Sequence, residues 1–135
     1  MKKILLGLAL LGGLFFSGAL FAEDLNWEKD LNTAFAKAAK EKRPIMVMVE
    51  GEHCRWCKKM EHRTLEDDVV SKRLEKYVLV KIDREGKDAK QLPAVKYVPT
   101  IFFMSPEKKI RERVTGYFNV LDFKSWIDDA EAAVK

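Results

Sequence analysis

Cys54-Arg55-Trp56-Cys57 holds the only two cysteines of the chain. It follows directly on an apolar run, Pro44-Ile45-Met46-Val47-Met48-Val49, and precedes a helix-like stretch from Lys58 to Leu65. Two thiols three residues apart at the start of a helix lie on one face and can close a small disulfide. The first also sits at the positive end of the helix dipole, which favours its thiolate. A strand, a CxxC and a helix in that order point to a redox dithiol. The plainer alternative is a structural cystine. A bridge of this spacing closes too short a loop to restrain much of the unfolded chain, so its contribution to stability is expected to be small.

The 135 residues suffice for one domain with a modest core. The first of them read differently from the rest. Met1-Lys2-Lys3 is basic, Ile4 to Phe16 is apolar, and Ser17-Gly18-Ala19 and Leu20-Phe21-Ala22 precede the first acids, Glu23 and Asp24. This pattern predicts a secretory signal peptide over residues 1–22, cleaved after Ala22, with Ala19 as the other candidate. An uncleaved anchor helix is the alternative, although the apolar run is marginal for spanning a bilayer. The whole chain has 25 basic and 21 acidic residues, a formal +4. Without Lys2 and Lys3, 23 basic residues face 21 acids, a net +2. No basic stripe interleaved with aromatics is present, which excludes a nucleic-acid footprint. Export delivers the thiols to an oxidising compartment.

Leu25 to Glu41 has helical apolar spacing through Trp27, Leu31, Ala34, Phe35, Ala38 and Ala39, and Pro44 stops it. Ile45 to Val49 is a short buried strand. Cys54 to Thr64 and Asp67 to Lys76 read as helices, the latter with Val69, Val70, Leu74 and Tyr77 inward. Tyr77 to Asp83 is β-branched and strand-like. Asp88 to Tyr97 is expected to be a short helix, weakened by Pro93. Ile101 to Met104 and Ile110 to Thr115 flank a turn at Ser105-Pro106-Glu107-Lys108-Lys109. Asn119 to Val134 closes the chain as a helix burying Val120, Leu121, Phe123, Trp126, Ile127 and Ala130. The first two strands, joined through helices, should be parallel, and the last two, joined by a tight turn, antiparallel. The expectation is an α/β, three-layer α/β/α fold with a central mixed sheet, over residues 23–135.

With Val98-Pro99-Thr100 placed after the CxxC and just before a strand, and with the hairpin, Gly116 and terminal helix that follow, the chain resembles the thioredoxin superfamily. More narrowly it resembles exported proteins related to the C-terminal domain of DsbD-type thiol:disulfide interchange proteins. They share a lysine/proline junction, here Lys42-Arg43-Pro44, between the first helix and the core strand. The resemblance implies a Cys54–Cys57 disulfide, with Cys54 as nucleophile and Cys57 as resolving thiol. It also implies a cis Pro99 facing the disulfide, leaving the Val98 backbone to pair with a substrate strand. Four positions depart from the pattern. His53 stands where relatives often have Trp, Arg55-Trp56 is an unusual central pair, and Met48 replaces a buried acid. Glu50, on the same strand face as Met48 by parity, is the candidate substitute proton acceptor.

Thiol–disulfide exchange is the chemistry these residues suit. His53, if protonated, and Arg55 would add positive charge beside Cys54, and Trp56 would offer an apolar rim to a partner. Against these stand plainer readings: His53 and His62 as solvated surface residues, Glu50 as a half-exposed strand end, and Trp27, Trp126, Phe102, Phe103 and Phe123 as core. Met46, Met48 and Met60 read more simply as packing than as metal ligands. A second class is metal handling through His53, Cys54, Cys57, His62 or a methionine, with copper the candidate. The spacing fits no zinc finger, and Lys58 after Cys57 fits no c-type haem site. A third class is a redox-inactive binding module, which the intact CxxC argues against. The expected function is a periplasmic oxidoreductase of protein disulfides, most simply a reductase, with an oxidase or isomerase next. No cofactor or metal is expected. The expected partners are protein thiols and disulfides and a membrane thiol–disulfide electron transporter, with the protein itself a monomer.

Overall fold

The computed structural model describes residues 25–133. The leader expected over residues 1–22, and Val134, lie outside the described residues. A short strand β1 (Trp27–Glu28) leads into helix α1 (Leu31–Glu41), strand β2 (Ile45–Glu50) and helix α2 (Arg55–Lys59). A π-helical segment (Met60–Leu65) continues α2, and α3 (Asp68–Leu74) and β3 (Val78–Asp83) follow. A 3-10 turn (Lys87–Gln91), β4 (Thr100–Met104), β5 (Ile110–Thr115) and α4 (Val120–Ala132) complete the order. Among the described residues no helix is long and apolar enough to cross a membrane.

The sheet runs β1-β3-β2-β4-β5. β2 is parallel to β3 and antiparallel to β4, and β4 pairs antiparallel with β5. This is the mixed sheet expected from the connections, with helices on both faces. Side-chain alternation along the strands sorts the core into two layers. Met46, Met48, Leu79, Ile101 and Phe103 pack on one side with Cys57, Met60, Leu74, Phe123 and Ile127. Ile45, Val47, Val49, Val80 and Phe102 pack on the other with Leu31, Ala34, Phe35 and Ala38 of α1. β2 lies in the middle of the sheet, and its first five residues are buried.

Several expectations need correction. The first helix begins at Leu31 rather than Leu25, because the Asp30 carboxylate caps it by accepting from the Thr33 N–H at 2.7 Å. The residues before it instead extend the sheet, Trp27 opposite Leu79 and Glu28 opposite Val80. Trp27 and Trp126 are half-buried at the margin of the core and not within it. The expected helix from Asp88 to Tyr97 is only a 3-10 turn, followed by irregular chain leading to the sheet. Its Asp88 carboxylate accepts from the Leu31 N–H at 3.0 Å and so ties this connection to the start of α1. Leu121 is 73% exposed and Val69 51% exposed, so neither joins the core. Tyr77 is buried but precedes β3, which starts at Val78.

Candidate functional site

β2 runs out of the sheet at Glu50 and turns through Gly51, Glu52 and His53 into α2. Cys54 is the N-cap residue of α2, and its sulfur accepts from the Cys57 N–H at 3.1 Å. An acceptor that takes a free N–H at a helix start is better satisfied when charged, which favours a thiolate there. The two cysteines form a disulfide with Cα atoms 5.2 Å apart. They differ in setting: Cys57 is 2% exposed and belongs to the core, whereas Cys54 is only half-buried. An external sulfur can therefore reach Cys54 and not Cys57.

The second wall of the site is the loop that enters β4. Val49 pairs with Thr100, so one step further along the strands Glu50 lies beside Pro99. The Val98–Pro99 peptide is cis, and Pro99 is buried. Val98 sits against the turn before Cys54 so closely that a Cβ on Gly51 would lie 3.2 Å from its Cγ2. That crowding is a physical reason for glycine at position 51. The third wall is the chain after β5. Gly116 has φ +97°, a conformation that disfavours other residues, and its N–H donates to the Pro99 carbonyl at 2.8 Å. Tyr117 follows it.

Among the other sequence candidates, His53 has φ +55°, and its side chain is 92% exposed, with the Glu52 carboxylate at 3.4 Å. Arg55 is exposed, its guanidinium carbon 5.6 Å from the Trp56 ring centre. Trp56 is 46% exposed beside the disulfide. His62 pairs with Glu66 one helical turn on, Nδ1 to carboxylate 3.1 Å. Met46, Met48 and Met60 are fully buried in the core. Among the described residues, no group of three or more His, Cys, Asp or Glu side chains is placed to hold a metal ion.

Glu50 shares its sheet face with Met46 and Met48 and is half-buried. Burial pushes its carboxyl above the usual carboxylate range. Glu61 and Asp83 reinforce that shift, and Lys81 opposes it. Lys81 donates to Glu61 at 2.7 Å, and its ammonium lies 4.9 Å from the Trp27 ring centre. The sequence pattern alone does not single out Lys81 or Glu61. The one local signal is the position of Glu61, two helical turns beyond Cys54 and so on the same helix face. Lys59 and Tyr117 are likewise not among the sequence candidates. The Lys59 ammonium lies 4.8 Å from the Trp56 ring centre and 4.7 Å from that of Tyr117.

A partly exposed cysteine at a helix start, backed by a buried partner cysteine, is an arrangement that can exchange disulfides. The comparisons with known proteins agree with this geometry. Residues 26–106 match the family described as Thioredoxin-like, which is more than half of the chain. Anterior gradient protein 3 of Xenopus tropicalis is 25% identical over 100 residues, covering 73% of this chain and 61% of that protein. The chain thus spans about three-fifths of the length of the curated relatives it matches. Among solved structures, a thioredoxin from Thermus thermophilus superposes with a TM-score of 0.66 at 24% identity, covering 84% of this chain and 90% of that one. The C-terminal domain of DsbD from Neisseria meningitidis, oxidised form, superposes with a TM-score of 0.60 at 19% identity, covering 73% and 91%. At these identities the two structures speak for the fold, and the match over residues 26–106 speaks for the lineage. With fold, site geometry and sequence match in agreement, the chain belongs to the Thioredoxin-like family.

Proposed function

We propose that this protein is an exported thiol:disulfide oxidoreductase that reduces disulfides of other proteins. The observation that carries the reading is the asymmetry of the pair. Cys54 is reachable at a helix start, and Cys57 is buried behind it. In the reduced state the Cys54 thiolate attacks one sulfur of a client disulfide. The client S–S bond breaks, a mixed disulfide to Cys54 forms, and the departing client sulfur takes up a proton. Cys57 then loses its proton, with Glu50 as the proposed acceptor, and attacks the Cys54 sulfur. The Cys54–Cys57 bond forms and the second client thiol leaves. Two electrons have passed from the dithiol to the client, and a donor dithiol must return them. A membrane thiol–disulfide transporter is the proposed donor.

Pro99 has no N–H, so a client strand laid along this loop would bond to the Val98 backbone, with Trp56 as an apolar rim. Arg55 supplies positive charge near the Cys54 sulfur, as His53 would if protonated, and this favours its thiolate. The leader-like residues 1–22 support export to the periplasm, where such chemistry operates on envelope proteins.

The test is the equilibrium reduction potential of the Cys54–Cys57 couple against dithiothreitol or glutathione. A potential near that of thioredoxin, about −270 mV, is the expected result. A potential near about −120 mV reverses the direction and makes the protein an oxidant. Absence of a reversible couple overturns the exchange reading.

A further inference from the structure

Three basic side chains, Arg55, Lys58 and Lys59, lie on the short helix that carries the disulfide. Among the described residues, they form no ion pair, as is true of many basic residues elsewhere on the surface; what sets this group apart is its place on the helix that carries the disulfide. The one acid on the preceding turn, Glu52, lies by His53 and is itself exposed. Lys59 is the one of the three whose charge lies against two rings. Trp56 and Tyr117 have centres 5.7 Å apart, and the ammonium is 4.8 Å from one and 4.7 Å from the other. The rings come from different walls of the site. Trp56 lies between the cysteines, and Tyr117 follows the Gly116 that is bonded to the Pro99 carbonyl. Ring quadrupoles attract an ammonium but leave its full charge in place. The result is an apolar platform built from α2 and the chain after β5, bearing a cation with no ion-pair partner among the described residues.

Such a platform has a complementary partner. Apolar client side chains can lie on the exposed Trp56, and client carboxylates can pair with Lys59, Arg55 and Lys58. Basic client segments would meet these three like charges, set against the Glu52 carboxylate on the turn before the helix. We propose that this platform selects client segments carrying carboxylates within a few residues of the reactive cysteine, with Lys59 as the principal contact. The proposal rests on the exchange function above and assigns the class of its client.

The test compares two synthetic peptides closed by the same disulfide loop, one flanked by glutamates and one by lysines. The protein is reduced with dithiothreitol, freed of it, and mixed with each peptide. Protein dithiol and peptide disulfide then become protein disulfide and peptide dithiol, with no other reactant. The expected result is an initial rate about tenfold or more higher for the acidic peptide at low ionic strength, a ratio that shrinks toward one in high salt. Lys59→Gln should lower the ratio severalfold, and Lys59→Glu should bring it to one or invert it. Equal rates for the two peptides with the wild-type protein overturn the proposal. So does a ratio in Lys59→Glu equal to that of the wild type. Hydroxyethyl disulfide, which carries no charge, separates the two levels of failure. If the reduced protein reacts with it and with both peptides equally, only the client class falls. If it reacts with none of the three, the exchange function falls too.

Discussion

Arg73 and Lys59 are basic residues on neighbouring helical segments that cover the same face of the sheet, yet their surroundings are opposite. Arg73, on α3, reaches across to α4, where Asp128 lies at 2.7 Å and Glu131 at 3.1 Å. Lys76 one turn on also pairs with Glu131. These cations are spent on holding two helices together. Lys59, on α2, has two aromatic rings and no carboxylate among the described residues. A paired cation on a protein surface contributes at most about 1 kcal/mol and offers little to a newcomer. An unpaired one beside a reactive sulfur contributes little to folding and remains available for recognition. The two regions carry the same charge, and what separates them is whether the fold supplies the counter-charge or leaves it to a partner.

The largest test of this contrast removes the chemistry from one side only. Cys54→Ser should abolish exchange with any disulfide, and Cys57→Ser should accumulate a mixed disulfide through Cys54, visible by mass. Both should unfold close to the reduced wild type in denaturant. On the other side, Phe123→Ala on α4 should cost about 3–5 kcal/mol of stability, because Phe123 is fully buried in the layer behind the cysteines. The reduction potential of the folded fraction should not move. A large shift in potential would mean that the α4 side is not merely structural.

Smaller effects sharpen the comparison. Arg73→Met should lower stability by about 1 kcal/mol or less, read from urea midpoints, and leave the rate ratio between acidic and basic peptides unchanged. Arg55→Ala should do the reverse, with stability within about 0.5 kcal/mol of wild type and a slower reaction with the acidic peptide. The smallest expected effect concerns Glu50. Its carboxyl is raised in the folded state above the ordinary value of 4.5, mainly by burial, so folding disfavours its charged form. That penalty is absent below the unfolded value, grows as pH rises through the window above 4.5, and is complete once pH exceeds the folded value. Glu50→Gln should therefore match the wild type in acid and be the more stable protein at neutral pH. Equal stability at both would show that Glu50 is solvated like any surface carboxylate.

Much of the fold is legible in the residue pattern. The runs Ile45 to Val49 and Ile101 to Met104 are short, apolar and bounded by turn residues, and both are strands within the central sheet. The turn between Met104 and Ile110 dictates an antiparallel pair. The pattern misleads where two periodicities overlap. Trp27 fits the apolar stripe of α1, but Asp30 starts the helix after it, and Trp27 pairs with a strand far along the chain. Leu121 and Val69 fit helical stripes as well, yet among the described residues they stay largely exposed. Periodicity shows which residues share a face but not how far the opposing layer extends.

The site divides in the same way. The sequence alone showed the cysteine pair and its place between a strand and a helix, because these depend on bonding within a few residues, whereas Pro99 was singled out only by resemblance to a family. Only tertiary structure decided that Cys54 is reachable and Cys57 is not, since burial depends on the whole layer packed behind α2. Only tertiary structure brought Lys81 to Glu61 and surrounded Glu50 with charge. It also placed Tyr117 against Lys59 and Trp56, from a loop far along the chain that is fastened to Pro99 by a single hydrogen bond at 2.8 Å. Local sequence sets the hydrogen-bonding habits of a segment. Which charges meet, and which are left for another molecule, depends on segments that are distant in the chain and touch only once the sheet has assembled.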